Sequence, residues 1–182
     1  MDKRTDMIAA AARVFDAGGF RGIGVDGILA PSGASTRTLY KHFGSRDGLV
    51  LAVLEERHRD FMDRLARSGG DADPIGGLFD TLERWLVEHG ARGCMLLRAQ
   101  GEYAGANEDV VALVRRQKEE FEREIARRVE MALGSADTGL ATQIWILFEG
   151  ATAAASVADI SVVGLAKRAA GVLVEDARGR SR

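Results

Sequence analysis

Residues 33–47 read Gly-Ala-Ser-Thr-Arg-Thr-Leu-Tyr-Lys-His-Phe-Gly-Ser-Arg-Asp and hold the side chains whose types and spacing best indicate binding chemistry. Gly33 allows the tight turn that can join two helices. Ser35 stands at the position of a helix N-cap, where its hydroxyl can accept a hydrogen bond from the amide of Arg37 or Thr38. The segment therefore predicts a sharp turn followed by a short helix.

The two faces of this short helix differ in character. At about 100° per residue, Leu39 and Phe43 lie on one side and Arg37 and Lys41 lie nearly opposite them. Arginine can bind guanine through two hydrogen bonds, and lysine and tyrosine (Tyr40 here) can reach phosphates. This outward face suits a DNA groove, although the solvated surface of a small helix is the simpler alternative for a basic run.

Two helical patterns precede the turn. The first holds Met7, Ile8, Ala11, Ala12 and Phe15 and ends at Gly18-Gly19, and the second holds Val25, Ile28 and Leu29. Together with the basic helix they predict a helix-turn-helix over about residues 24–43. Residues 1–47 carry seven basic and five acidic side chains, whereas residues 48–182 carry eighteen and twenty-two. Positive charge thus collects at the predicted DNA-contacting end.

The first 55 residues or so resemble the N-terminal domain of tetracycline-repressor (TetR) family regulators. The resemblance is carried by Ala-Ala-Arg-Val-Phe-Asp-Ala-Gly-Gly-Phe, by Val-Asp-Gly-Ile and by the segment that begins at Gly33. It implies an all-helical, dimeric transcriptional regulator, usually a repressor that a small ligand releases from its DNA operator. By position it implies DNA contacts at Thr36, Arg37, Thr38, Tyr40, Lys41 and His42, and a phosphate contact at Arg46, where the family prefers lysine.

The chain departs from the family pattern at three positions around the second helix. Ile23 and Gly24 stand where the family usually has threonine or serine, so a capping hydroxyl is missing and Gly24 is expected to act as a weaker cap. Pro31 stands where the family usually continues the helix, and it is expected to shorten or kink the last turn. These departures leave open a second interpretation, a helical small-molecule-binding or scaffold protein with no DNA affinity.

Composition bounds the class of protein. The chain has 182 residues, 46% of them hydrophobic, with two prolines and few alternating strand patterns, which predicts an all-α fold of about nine helices. We expect two domains: a helix-turn-helix DNA-binding domain over residues 1–60 and a helical effector-binding and dimerisation domain over residues 61–182. A single cysteine, a polar N-terminus and no long apolar run predict a cytoplasmic protein that neither enters nor spans a membrane.

The last two predicted helices, over residues 138–158 and 160–177, are rich in small residues at helical spacing. Small side chains let helices approach closely, either within one chain or between two chains. We expect a homodimer in which these helices pair with their copies in a four-helix bundle, with packing inside the chain as the alternative.

An effector pocket would lie inside the second domain, although aromatic residues and methionines at helical spacing are more often core residues than pocket walls. The candidates are Phe61, Trp85, Met95, Gln117, Phe121, Trp145 and Phe148.

Chemistry of other kinds is not indicated. The three histidines and Cys94 lack metal-ligand spacing, and no phosphate-binding loop or dinucleotide fingerprint follows a strand. The sequence therefore predicts a regulator that is not an enzyme and that binds no metal or cofactor.

Overall fold

A computed structural model describes residues 2–68 and 72–180, and within these ranges the chain forms helices and no strand. The predicted all-α class with about nine helices is confirmed. Residues 1, 69–71, 181 and 182 lie outside the described residues. The helices are α1 (Lys3–Gly18), α2 (Val25–Leu29), α3 (Thr36–Phe43), α4 (Arg46–Arg67), α5 (Gly76–His89), α6 (Met95–Tyr103), α7 (Glu108–Leu133), α8 (Thr138–Ala155) and α9 (Val162–Arg180).

Polar side chains determine where several helices begin. The hydroxyl of Ser35 accepts a hydrogen bond from the amide of Thr38 at 3.2 Å, as the sequence predicted. Ser45 accepts from the amide of Gly48 at 2.9 Å at the start of α4. Because each short side chain pairs an amide that the helix itself leaves free, the turns on both sides of α3 have defined geometry.

Pro31 shortens the second helix, and this prediction is confirmed. Helix α2 ends at Leu29, and a single 3₁₀ turn, Ala30–Ser32, carries the chain to Gly33. Gly33 adopts the left-handed conformation, with φ of 60°, that glycine occupies without strain. Gly24 precedes α2 with extended backbone and supplies no side-chain cap, so the capping hydroxyl is indeed absent.

The described residues divide into two compact units. The first contains the residues up to Asp60 together with Met95–Gln117, and the second contains Phe61–Cys94 together with the residues from Lys118 onward. The domain boundary predicted at residue 60 places the segment from Met95 to Gln117 in the second domain. This segment joins the first unit because its apolar face, including Ala99 and Val114, is buried in the same core as α1 and α4.

The second unit has a core of its own, in which α8 packs against α9 and both pack against α5. Its buried cation is Arg128, which is 2% exposed. The Arg128 guanidinium donates to the Glu124 carboxylate and to the backbone oxygens of Leu65 and Pro74. Leu65 lies in the last turn of α4, and its carbonyl also accepts from the amide and the hydroxyl of Ser68, so this arginine adds a further hydrogen bond at the end of the helix.

Candidate nucleic-acid interface

Helix α3 is anchored on one face and open on the other. Leu39 is fully buried and Phe43 packs partly buried against the core of the first unit. On the opposite side Arg37 and Lys41 are exposed, and Tyr40 is 52% exposed. A tyrosine ring that remains half in water loses the free energy of apolar burial, so its exposure favours a role in binding.

The exposed cations of α3 are available to a ligand. In the part of the chain that the structure describes, the side chains of Arg37, Tyr40 and Lys41 make no hydrogen bond or ion pair within the protein. Thr36 is also exposed, whereas Thr38 and His42 are partly buried. The Thr38 hydroxyl lies 2.9 Å from the Ser35 hydroxyl, so the N-cap also orients this side chain.

Arg46 differs from the other predicted contacts because its guanidinium is already engaged. One terminal nitrogen donates to the Tyr103 hydroxyl at 2.8 Å, and the other donates to the backbone oxygens of Phe20 and Ile23. The side chain is 23% exposed. Arg46 therefore holds the segment between α1 and α2 against the start of α4, and its predicted phosphate contact stays a prediction.

The hydrogen bonds of Arg46 continue into a small polar network. The Tyr103 hydroxyl donates to the Asp47 carboxylate at 3.1 Å, and the Asn107 amide nitrogen donates to the second Asp47 oxygen at 2.8 Å. Burial raises the pKa of the Tyr103 phenol above its ordinary value, so the hydroxyl keeps the proton that it donates. The network connects the start of α4 to the end of α6.

A second set of polar contacts attaches α6 to the end of α1. The Glu102 carboxylate accepts hydrogen bonds from the amides of Phe20 and Arg21, at 2.9 and 2.8 Å. The Arg98 guanidinium donates to the buried Asp16 carboxylate and to backbone oxygens of the same turn. Sequence reasoning missed Arg98, Glu102 and Tyr103 as positioning residues. Their partners are between 57 and 82 positions away, and no local pattern signals such pairs.

The predicted effector-binding residues separate into two sets. Within the second unit, the Phe61 ring contacts the rings of Trp85, Phe121 and Phe148 with centroid distances of 5.2, 5.9 and 6.0 Å. Trp145 packs partly buried beside them and lines a groove of about 400 Å³ between α7 and α8. Its indole nitrogen is buried and has no hydrogen-bond partner among the described residues. Of the five aromatic residues, Trp145 is the one that lines this groove, and Trp85, Phe121 and Phe148 are buried in the core.

Met95 and Gln117 belong to the first unit. Met95 is buried in the core of that unit. The Gln117 amide nitrogen donates to the backbone oxygen of Leu54 at 3.3 Å, while its amide oxygen is buried without a partner among the described residues. The structure therefore does not bring Met95 and Gln117 into one cluster with the aromatic residues of the second unit, and their role in effector binding stays a prediction.

Comparison with known proteins matches the N-terminal part of the chain to one family. Residues 7–53 match the family described as bacterial regulatory proteins, tetR family. A search among curated proteins found no match. In the described residues no helix has both the length and the apolar character of a membrane span.

Solved structures share the fold over nearly the whole chain. A TetR-family transcriptional regulator from Streptomyces coelicolor is 25% identical with a TM-score of 0.84, over 97% of this chain and 96% of that chain. A TetR regulator from Streptomyces avermitilis is 26% identical with a TM-score of 0.77, over 97% and 98%. One from Haloarcula marismortui, at 17% identity and a TM-score of 0.81 over 96% and 97%, shows the fold alone. The N-terminal match and the shared fold identify this chain as a DNA-binding transcriptional regulator with the N-terminal domain and the fold of TetR-family regulators.

Proposed function

We propose that this regulator is a homodimeric repressor that binds a palindromic DNA operator and is released by a small, largely apolar effector. The observation that carries the DNA-binding part is the open face of α3, where Arg37, Tyr40 and Lys41 are exposed and unpaired within the described chain while Leu39 anchors the helix beneath them. Thr36, Thr38 and His42 complete the proposed contact face. We assign Arg46 to positioning, because its donors are used within the protein.

Two apolar stripes support dimerisation through α8 and α9. On α8 and just beyond it the exposed positions are Ile146, Gly150, Ala153 and Val157, and on α9 they are Leu165, Ala169 and Val172. Both sets follow the spacing i, i+4, i+7, which places each set on one face of its helix. Ile146 and Leu165 are each 56% exposed and Val172 is 69% exposed. Exposed apolar stripes of this kind are typical of a two-fold helical interface.

Packing inside the chain uses the other face of the same helices. Ala151, Ala155, Ala170 and Ala177 are buried in the core of the second unit. The small residues thus serve two surfaces, one that holds α8 to α9 and one that we propose holds two chains together. A symmetric dimer would present two copies of α3 to half-sites one DNA turn apart, which makes the operator a palindrome.

The effector would bind at the aromatic cluster of Phe61, Trp85, Phe121, Trp145 and Phe148 in the second unit. A ligand can release DNA only if it binds the low-affinity conformation of the dimer more tightly than the DNA-bound one. Both tryptophans of the chain belong to this cluster. Quenching of their fluorescence during titration with apolar compounds therefore reports binding, and loss of quenching in Phe121→Ala tests the assignment.

The DNA contacts are tested with a duplex recovered by in vitro selection using the wild-type protein. Arg37→Ala and Tyr40→Ala should each lose operator binding, measured by fluorescence anisotropy at stated salt, while sedimentation shows an unchanged dimer. Wild-type affinity should also fall steeply as salt rises. Intact affinity in both variants would remove α3 from the contact face, and a selection that yields no preferred sequence would favour a binding or scaffold protein without operator specificity.

The proposed function also implies where the protein acts and that it is not an enzyme. A regulator that must reach bacterial DNA acts in the cytoplasm, and its α3 face needs no cofactor to bind phosphates and base edges. We propose no enzymatic activity.

A further inference from the structure

The first turn of α1 places two exposed cations beside α3. The Lys3 ammonium donates to the backbone oxygen of Ser32 at 3.0 Å, just before the turn that begins α3. The Arg4 guanidinium lies over the Phe43 ring at the other end of α3, with its carbon 5.4 Å from the ring centroid. We infer that Lys3 and Arg4 extend the DNA-binding surface from α3 onto α1 and contact the phosphate backbone.

The contact with Phe43 holds Arg4 without neutralising it. A ring attracts a guanidinium through its quadrupole, which leaves the full positive charge in place and the in-plane N–H donors free for a phosphate. Asp2 and Asp6 lie in the same turn, but within residues 2–68 and 72–180 neither Lys3 nor Arg4 forms an ion pair with a carboxylate. Lys3 uses one of its three donors on Ser32 and keeps the other two.

These two residues are placed to bind backbone rather than bases. Their side chains start from α1 and reach the two ends of α3, so they lie beside the helix that is proposed to enter the groove. Cations beside a recognition helix meet phosphates, which carry affinity and salt dependence but no sequence information. This inference rests on the proposed DNA contact face of α3.

The experiment compares Arg4→Ala with Arg13→Ala. Arg13 is exposed on the same helix, and nine residues at about 100° each place it on the opposite face. Binding is measured by anisotropy on the selected operator and on a duplex of unrelated sequence, between about 50 and about 200 mM salt. Thermal unfolding of each variant confirms that the fold is kept.

Arg4→Ala should weaken binding to both duplexes and leave their affinity ratio unchanged. The slope of log K against log salt should become shallower by about 0.9 for each bound chain. The loss of affinity per chain should therefore be about threefold greater at the low salt concentration than at the high one. Lys3→Ala should act similarly, and Phe43→Leu should weaken binding in part because Arg4 loses its support. Arg13→Ala should leave affinity and slope unchanged.

Two results with the variants would overturn the inference. One is that Arg4→Ala keeps the affinity and the salt slope of the wild type. The other is that Arg13→Ala changes affinity and slope as much as Arg4→Ala does, which would indicate a general effect of charge. A wild-type protein that binds neither duplex would overturn the proposed function and this inference with it. Wild-type binding with unaffected Arg4→Ala would overturn the inference alone.

Discussion

Replacing Arg46 separates a positioning role from a phosphate contact. The guanidinium donates to the Tyr103 hydroxyl and to the backbone oxygens of Phe20 and Ile23, at a side chain that is 23% exposed. At about 1 kcal/mol of net stability for each hydrogen bond, Arg46→Ala should lower the free energy of unfolding by about 3 kcal/mol. For a chain of this size that corresponds to a Tm lower by about 6–12 °C.

Arg46→Lys is the more informative variant because a lysine preserves the charge. The TetR family prefers lysine at this position, so a phosphate contact would survive the change. A positioning role would not, since one ammonium cannot reproduce the planar fork that serves Tyr103, Phe20 and Ile23 together. We therefore expect Arg46→Lys to lower the Tm, although less than Arg46→Ala does, and neither variant to change the salt slope of operator binding.

Arg37→Ala is the matched control. Its guanidinium is exposed and makes no ion pair among the described residues, so the Tm should stay unchanged while the salt slope becomes shallower by about 0.9 per bound chain. Differential scanning calorimetry and anisotropy on the selected operator give both quantities. If Arg46→Ala kept the wild-type Tm and showed the shallower salt slope expected of Arg37→Ala, the positioning role of Arg46 would be refuted.

Three further predictions concern the second unit. Arg128→Met should lower the free energy of unfolding in urea by about 3 kcal/mol, because it removes the hydrogen bonds to Glu124 and to the backbone oxygens of Leu65 and Pro74. Arg127→Ala, which removes an exposed partner of the same Glu124, should cost under about 1 kcal/mol, and equal losses in the two variants would contradict this reasoning. Burial alone would raise the pKa of Glu124, but hydrogen bonds from both arginines lower it below the ordinary glutamate value. The stabilisation by this carboxylate is therefore present above the ordinary glutamate pKa and is lost as the pH falls through the lowered pKa. In urea titrations, the free energy of unfolding of Glu124→Gln should fall less at acid pH than that of the wild type. Val172→Glu should raise the dimer Kd about a hundredfold in sedimentation equilibrium, because the two-fold symmetry brings the two glutamates together. Val87→Glu, at an equally exposed position on α5, should leave the Kd unchanged. A stable Val172→Glu dimer would contradict the proposed interface.

Local signals in the sequence were sufficient for the helices around the proposed DNA-binding face. Ser35 and Ser45 cap the helices that follow them, and Pro31 ends α2 early, because each effect acts within four residues. The 3.6-residue period also predicted that Leu39 would be buried and Arg37 exposed. These features depend on the backbone geometry of one helix, which a short stretch of sequence specifies.

Only the tertiary structure decided which distant side chains meet. It placed Arg46 on Tyr103 and Glu102 on the amides after α1, it seated Arg4 over Phe43, and it put the segment from Met95 to Gln117 into the first core. Side chains that are tens of residues apart meet only after the helices have packed, and a helical period gives the direction of a side chain but not its partner. The sequence by itself therefore determined the helices and the outward face of α3, while packing determined which cations remain unpaired and which hold the fold together.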